Sequence, residues 1–237
     1  MLIRTAIQRV QSLYSKGVQS RSSRLSNRNV YYKLISTRSK LHTNEKKKNQ
    51  KISQWTYQTL PCIEMIEVPM NECLCTLQSG CMILRSKYPI PSLMTEFSKH
   101  IIQSVTGLEG KLVLNEINFE DIKYQKGNKF TSKQPDFFFR TVGSKVYIYI
   151  TVTTRLPAIT MTALYDDPIE AYIFPSLCNS PDPCISYLDF EFPIDDDQMD
   201  ALIELAAVEL IDRFTSRKQD TTNNAVDDII DPNGNRR

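Results

Sequence analysis

Residues 136–154 read DFFFRTVGSKVYIYITVTT, and this stretch decides the fold class. Asp136 to Thr141 and Lys145 to Thr154 are dense in aromatic and β-branched residues, which suit a pleated surface. In the second run Val146, Ile148, Ile150 and Val152 alternate with Tyr147, Tyr149 and Thr151. Successive side chains of a strand point to opposite faces, so one face is aliphatic and the other aromatic or polar. Between the runs, Val142-Gly143-Ser144 is turn punctuation at hairpin distance. The spacing predicts two antiparallel strands and a sheet-based body.

Further strand candidates lie on either side, at Gly110 to Lys126 and Ala158 to Tyr165, with breaks at Gly127-Asn128 and Leu156-Pro157. Upstream, YQTLPCIEMIEVP (57–69) supplies a first strand. Its early Pro61 cannot donate to a ladder, which predicts a place near a sheet edge. The linkers are too short to carry crossover helices, so an antiparallel meander or sandwich is expected. The Cys-rich stretch Asn71 to Cys81 reads as a loop.

Both flanks read as helix. Leu2, Ile3, Ala6, Ile7, Val10 and Leu13 follow the 3.6-residue period. After a serine-rich break, Ser26 or Asn27 caps a second helix whose stripe is Val30, Tyr31, Leu34, Ile35 and Leu41. Near the other end Asp195, Asp196 and Asp197 favour the positive end of a helix dipole. Beyond them Met199, Leu202, Ile203, Leu205, Ala206, Val208, Leu210, Ile211 and Phe214 give the apolar face, expected to pack on the body. The tail after this helix is polar and acidic. The fold class is therefore α+β: an N-terminal basic helical arm (1–54), an antiparallel β-rich body (55–192), and a long C-terminal helix with an extended acidic tail (193–237).

Charge divides along the same lines. The first 54 residues hold thirteen Lys and Arg against one acid, Glu45, while the last quarter is acidic; the formal net charge of +2 conceals the asymmetry. Such a chain is expected to present a basic arm and an acidic helix to different partners, or to the opposite ends of identical neighbours. The start of the chain is also rich in Arg and Ser, like a mitochondrial presequence, but the basic character runs past the usual presequence length. With seven glycines and neither a G-x-x-x-x-G-K-[ST] nor a G-x-G-x-x-G string, the sequence gives no sign of a nucleotide-driven enzyme. No apolar run approaches the roughly 20 residues of a membrane span.

The candidates for chemistry each have a simpler explanation. Six cysteines (Cys62, Cys73, Cys75, Cys81, Cys178, Cys184) lack the C-x2-C knuckle. Buried free thiols are expected, with a zinc clasp between the two Cys segments as the alternative. Pro135-Asp136 opens a strand as in metal-dependent nucleases, but the next strand, Lys145-Val-Tyr-Ile-Tyr-Ile, lacks the acid and the lysine. Asp166, Asp167 and Asp195 to Asp197 suit turns and caps. His42 and His100 both lie on segments read as helix, and a Cys-His catalytic pair would need Cys62 or Cys81 to meet His100. No catalytic residue, cofactor or metal is expected.

Several phrases carry a resemblance: RLSNRNVYYKL (24–34), YQTLPCIEMIEVP (57–69), CLCTLQSGCMILRSKYPIP (73–91), ALYDDPIEAYIFPSLC (163–178) and FPIDDDQMDALIELAAVELI (192–211). Together the chain resembles virion structural proteins of crAss-like podoviral bacteriophages, of the class that forms rings between portal and tail. The resemblance implies a non-enzymatic head-to-tail connector in the virion, made in the host cytoplasm and assembled as a homo-oligomeric ring of twelve-fold symmetry. It also implies portal and neighbouring tail or ring proteins as partners, with double-stranded DNA passing transiently and no membrane contact. Arg21, Arg24, Arg28, Arg38, Lys46, Lys47 and Lys48 are the expected inter-subunit or DNA-facing residues. The alternative is a nucleic-acid-binding module whose basic arm grips phosphates directly.

Overall fold

A computed structural model describes residues 1–15, 25–48, 51–69, 82–96, 99–122, 124, 135–151, 156–178 and 186–226; side chains at 46, 47, 96 and 214–226 are not described. The chain divides into two compact units, one made of residues 1–50 and 194–237, the other of residues 51–193.

The first unit is helical: α1 (Ile3–Tyr14), α2 (Asn27–Lys47) and the long C-terminal helix, here α4 (Asp196–Val226). Of the two expected caps for α2, Ser26 performs the role, its Oγ accepting from the Asn29 backbone N–H at 3.2 Å. Each of the three helices packs on the other two. The C-terminal helix is expected to pack on the body; its apolar stripe of Met199, Leu202, Ile203, Ala206, Ala207 and Leu210 meets the apolar faces of α1 and α2. Burial of stripes such as Ile3, Ile7 and Val10, or Val30 and Leu34, is worth about 1.5–3 kcal/mol per large side chain. Packing therefore dominates the unit.

The second unit holds a closed barrel of seven strands: β1 (Gln58–Pro69), β2 (Met82–Ser86), β5 (Ile102–Gly107), β6 (Val113–Glu116), β7 (Asp136–Val142), β8 (Lys145–Ile150) and β9 (Ala158–Ala163). The short strands β3 (Thr95–Glu96) and β4 (Lys99–His100) form a separate ribbon, and α3 (Pro168–Tyr172) follows β9. Around the barrel the order is β1-β2-β8-β7-β6-β5-β9, closing on β1. A barrel thus replaces the expected meander or sandwich. Closure removes the edges that an open sheet exposes. One pair, β6 with β7, is parallel. The antiparallel expectation fails there because the connection from Ile117 to Pro135, which includes a 3-10 turn at Phe119–Asp121, is long enough to bring the chain back in the same direction.

Every barrel strand sends side chains into one apolar cluster, including Leu60, Ile63, Leu84, Val105, Leu114, Phe137, Ile148 and Met161. That cluster is the barrel interior. The β7–β8 hairpin forms as read from the sequence, with Val142 opposite Lys145 and Gly143 at φ +65° in the two-residue turn, a backbone state that favours glycine. Its aromatic face is not solvent-facing: Phe138 and Tyr149 build a second cluster with Val68, Ile83, Ile117 and Ile122.

The proline of β1 is accommodated without an edge position. β1 pairs with β9 over Gln58–Glu64 and with β2 over Met65–Pro69, and its register slips between Leu60 and Ile63. Pro61 and Cys62 occupy this bulge, where a missing N–H does no harm and Cys62 takes φ +52°. The bulge also reverses the phase of the strand. Leu60 before it and Ile63 and Met65 after it all reach the interior, although Leu60 and Ile63 are an odd number of residues apart.

Candidate functional site

The charges that are segregated in sequence meet in the helical unit. Arg9 of α1 pairs with Asp200 of α4 at 3.1 Å, Lys40 of α2 with Glu209 at 2.9 Å, and Lys33 also pairs with Glu209. The two lysines hold the Glu209 carboxyl below the ordinary carboxylate range. Gln198 Nε2 donates to Glu45 Oε1, joining the end of α2 to the start of α4. Exposed pairs of this kind contribute about 0.2–1 kcal/mol each. They are compatible with the face of α4 that packing turns inward, and they use within one chain some of the complementarity that the sequence offers to neighbours.

The seven expected contact cations divide accordingly. Arg38 requires correction: it is 0% exposed. The periodicity of α2 explains why, since Arg38 follows Leu34 and Val30 at four and eight residues and so continues the buried face. Arg28 is exposed, with its guanidinium 5.4 Å from the Tyr32 ring centroid and Nη2 donating to the Tyr32 hydroxyl at 3.1 Å. Lys48 is exposed beyond the last turn of α2. Arg21 and Arg24, and the side chains of Lys46 and Lys47, lie outside the described residues.

Arg38 has company: Thr37 and His42 are buried on the same face. Burial first, and the Arg38 charge second, push the His42 pKa below 6.5; the opposing pull comes from Glu45, whose Oε2 lies 3.2 Å from His42 Nδ1. A histidine held neutral by the fold supports stability that is complete above its unfolded pKa and is lost as pH falls through 6.5 toward the folded value. Acidification from pH 7 to about 5.5 is therefore expected to lower the protection of α2 amides against hydrogen exchange, and His42→Gln to flatten that dependence. An unchanged profile in the variant would remove His42 as the cause.

The remaining candidates for chemistry are placed as follows. Cys62 and Cys178 form a disulfide, which corrects the expectation of free thiols for these two and takes Cys62 out of any pairing with His100. Cys73, Cys75, Cys81 and Cys184 lie outside the described residues. His100 is in β4 rather than a helix, its ring edge-on to Phe139 at 4.7 Å between centroids. Asp136 is buried, and its backbone exchanges hydrogen bonds with Thr151 across the hairpin. Burial pushes its carboxyl up. Asp167 caps α3, accepting from the Ile169 N–H at 2.9 Å. Among the described residues no group of three His, Cys, Asp or Glu side chains could hold a metal, and no helix is long and apolar enough to cross a membrane.

The described surface also exposes apolar side chains. On α4 the apolar residues divide into two stripes, and Leu205 (44% exposed) and Val208 (53% exposed) lie on the outer one. On the barrel unit, Pro89, Pro91, Val146, Ile173 and Phe174 line a groove of about 390 Å³. The sequence placed all the α4 apolar residues on a single face; counting them against the arc of about 100° that one contact covers reveals the surplus.

The chain thus combines a barrel unit and a helical unit, each with exposed apolar surface and neither with a catalytic constellation among the described residues. The chain belongs to the phage tail ring protein 2 family, whose profile matches residues 5–229, and so to the ring proteins of crAss-like phages. It is a structural protein of the phage tail, and its place is in the virion. No curated protein matches the chain.

Proposed function

We propose that this chain is a non-enzymatic head-to-tail connector: a subunit of a closed homo-oligomeric ring of twelve copies, seated between portal and tail, through which genomic DNA passes. The observation that carries the proposal is the family match, which runs through the helical unit and the barrel unit alike. In a cyclic assembly every interface is heterologous, so each subunit needs two different complementary patches. The outer stripe of α4 and the barrel groove are two such patches.

Arg21, Arg24, Arg28 and Lys46 to Lys48 remain the proposed contacts with neighbouring copies or with DNA. The alternative of a phosphate-gripping arm loses weight with Arg38 buried and Arg9, Lys33 and Lys40 engaged by acids of α4. A lining that neutralises few phosphates also holds DNA weakly enough to let it slide. Native mass spectrometry of the chain with and without portal protein tests the proposal: discrete closed oligomers are expected. A chain that stays monomeric and is never recruited by portal, yet binds duplex DNA with a steep salt dependence, would favour the nucleic-acid-binding module instead.

A further inference from the structure

We propose that helix α4 of one copy docks its outer stripe into the barrel groove of the next copy, making these two surfaces the halves of the ring interface. The inference rests on the ring reading above and names the surfaces that would close the ring.

On the helix side, Ala201, Leu205 and Val208 stand at i, i+4 and i+7, one above another on a face that is exposed in this chain. They span about 10 Å of helix. Glu204 lies beside them and Asp212, at i+11, continues the row beyond Val208; both are exposed. The inward stripe of the same helix is already occupied by α1 and α2, so the outer stripe is a second apolar surface on one helix. Helices of that kind bury their second face against another molecule or remain a patch prone to association.

On the barrel side, Pro89 to Ser92, the start of β8 and Ile173 to Pro175 line the groove. Ile173 is 50% exposed despite being apolar. The groove is held in shape before anything enters it. The Ile90 N–H donates to Val146 O at 2.8 Å, and the Asp166 N–H to Ser92 O at 2.8 Å. Past Pro175 the chain is fixed to the bulge of β1 by the Leu177 N–H donating to Cys62 O and by the Cys62–Cys178 disulfide. A preformed apolar groove of this size accepts an amphipathic helix through anchors at i, i+4 and i+7.

Charge selects the occupant. Lys145 borders the groove at the β7–β8 turn and is exposed, facing the position that Glu204 or Asp212 would take beside the docked stripe. Glu170 also lines the groove, so the proposed orientation sets the acids of the helix beside Lys145 and away from Glu170. Apolar stripe, acidic flank and cationic rim are all present on this one chain. The two patches differ, so the contact is heterologous and propagates from copy to copy, as a ring requires.

The test uses the full chain. Val208→Asp replaces a half-exposed residue, so the helix should still form, which circular dichroism would check. The dissociation concentration of the oligomer, measured by analytical ultracentrifugation, is expected to rise at least tenfold. Lys145→Glu should also weaken assembly, and adding Glu204→Lys should restore it. A photo-crosslinking residue at 208, in a mixture of isotope-labelled and unlabelled copies, should join labelled to unlabelled chains through peptides containing Pro89–Ser92 or Ile173–Pro175. Undiminished assembly of Val208→Asp, or crosslinks within one chain, to another segment or, in purified virions, to a different tail protein, would overturn the docking while leaving the ring reading in place. A wild-type chain that forms no oligomer alone or with portal would sink the ring reading and the docking with it.

Discussion

Replacing Cys62 and Cys178 together with serine is expected to lower the stability of the barrel unit by roughly 2–4 kcal/mol. The bond joins residues separated by 116 positions, so it closes a loop that contains most of the barrel. Cross-linking a long loop restricts the unfolded chain more than a short one. Chain entropy alone allows somewhat more than this range, and residual structure in the unfolded state reduces it. Urea unfolding followed through barrel signals should therefore show a midpoint lower by about 1–2 M in the variant, with wild type in reductant moving the same way. The groove should suffer too, because its lining at Ile173 to Pro175 leads directly into the tether. A wild-type midpoint unmoved by reduction would show that this bond does not bear on the fold.

Phe138→Ala should cost about 3–5 kcal/mol, the range for a large aromatic removed from a packed core. Phe138 is 1% exposed, its ring stacked on Tyr149 at 5.3 Å between centroids and tilted against Phe119 at 5.6 Å. It faces away from the barrel interior and holds the segment from Ile117 to Ile122 against β7 and β8. Loss of the ring opens a cavity that backbone pairing on both sides of the strand keeps from collapsing. Hydrogen exchange should accelerate first at Ile117, whose N–H donates to Phe137 O at 2.9 Å, before the barrel interior responds. Val142→Ala, half-exposed near the hairpin turn, serves as the control and should stay within about 0.5 kcal/mol of wild type. Equal losses in the two variants would contradict the assignment of Phe138 to a sealed second cluster.

The sequence was most legible where period and turn chemistry agree. The β7–β8 hairpin is the best case: alternation in KVYIYI names the interior residues Ile148 and Ile150, and Val142-Gly143-Ser144 marks the turn. Helix α2 is another: its start is narrowed to Ser26 or Asn27 as cap, and Ser26 takes the role. The strand β5, Ile102–Gly107, carries Gln103, Ser104 and Thr106 and so shows little alternation; its membership of the barrel comes from partners on β6 and β9. Pro61 misled because the edge rule is local, whereas the bulge that accommodates it depends on β9 pairing across a long sequence separation. The parallel β6–β7 pair and the Cys62–Cys178 bond are likewise products of closure.

Legibility of the candidate site follows the same division. Arg38 looked like a surface cation by residue type, yet its spacing from Val30 and Leu34 already placed it on the inner face of α2. Composition outweighed periodicity, and periodicity was the better guide. The pairing of Glu209 with Lys33 and Lys40 required knowing that α2 and α4 are neighbours, which no local pattern states. The outer stripe of α4 was present in sequence as more apolar residues than one contact face can hold. Its significance emerged once the inner stripe had named partners.

Cryo-electron microscopy of the tail region of intact virions tests the central claim most directly. Copies of the seven-stranded barrel should repeat around the DNA axis in a closed ring, with a helix against the groove beside Lys145 and Ile173 of each. Virions in which this chain is missing, or in which it stands as isolated copies away from the axis, would contradict the account.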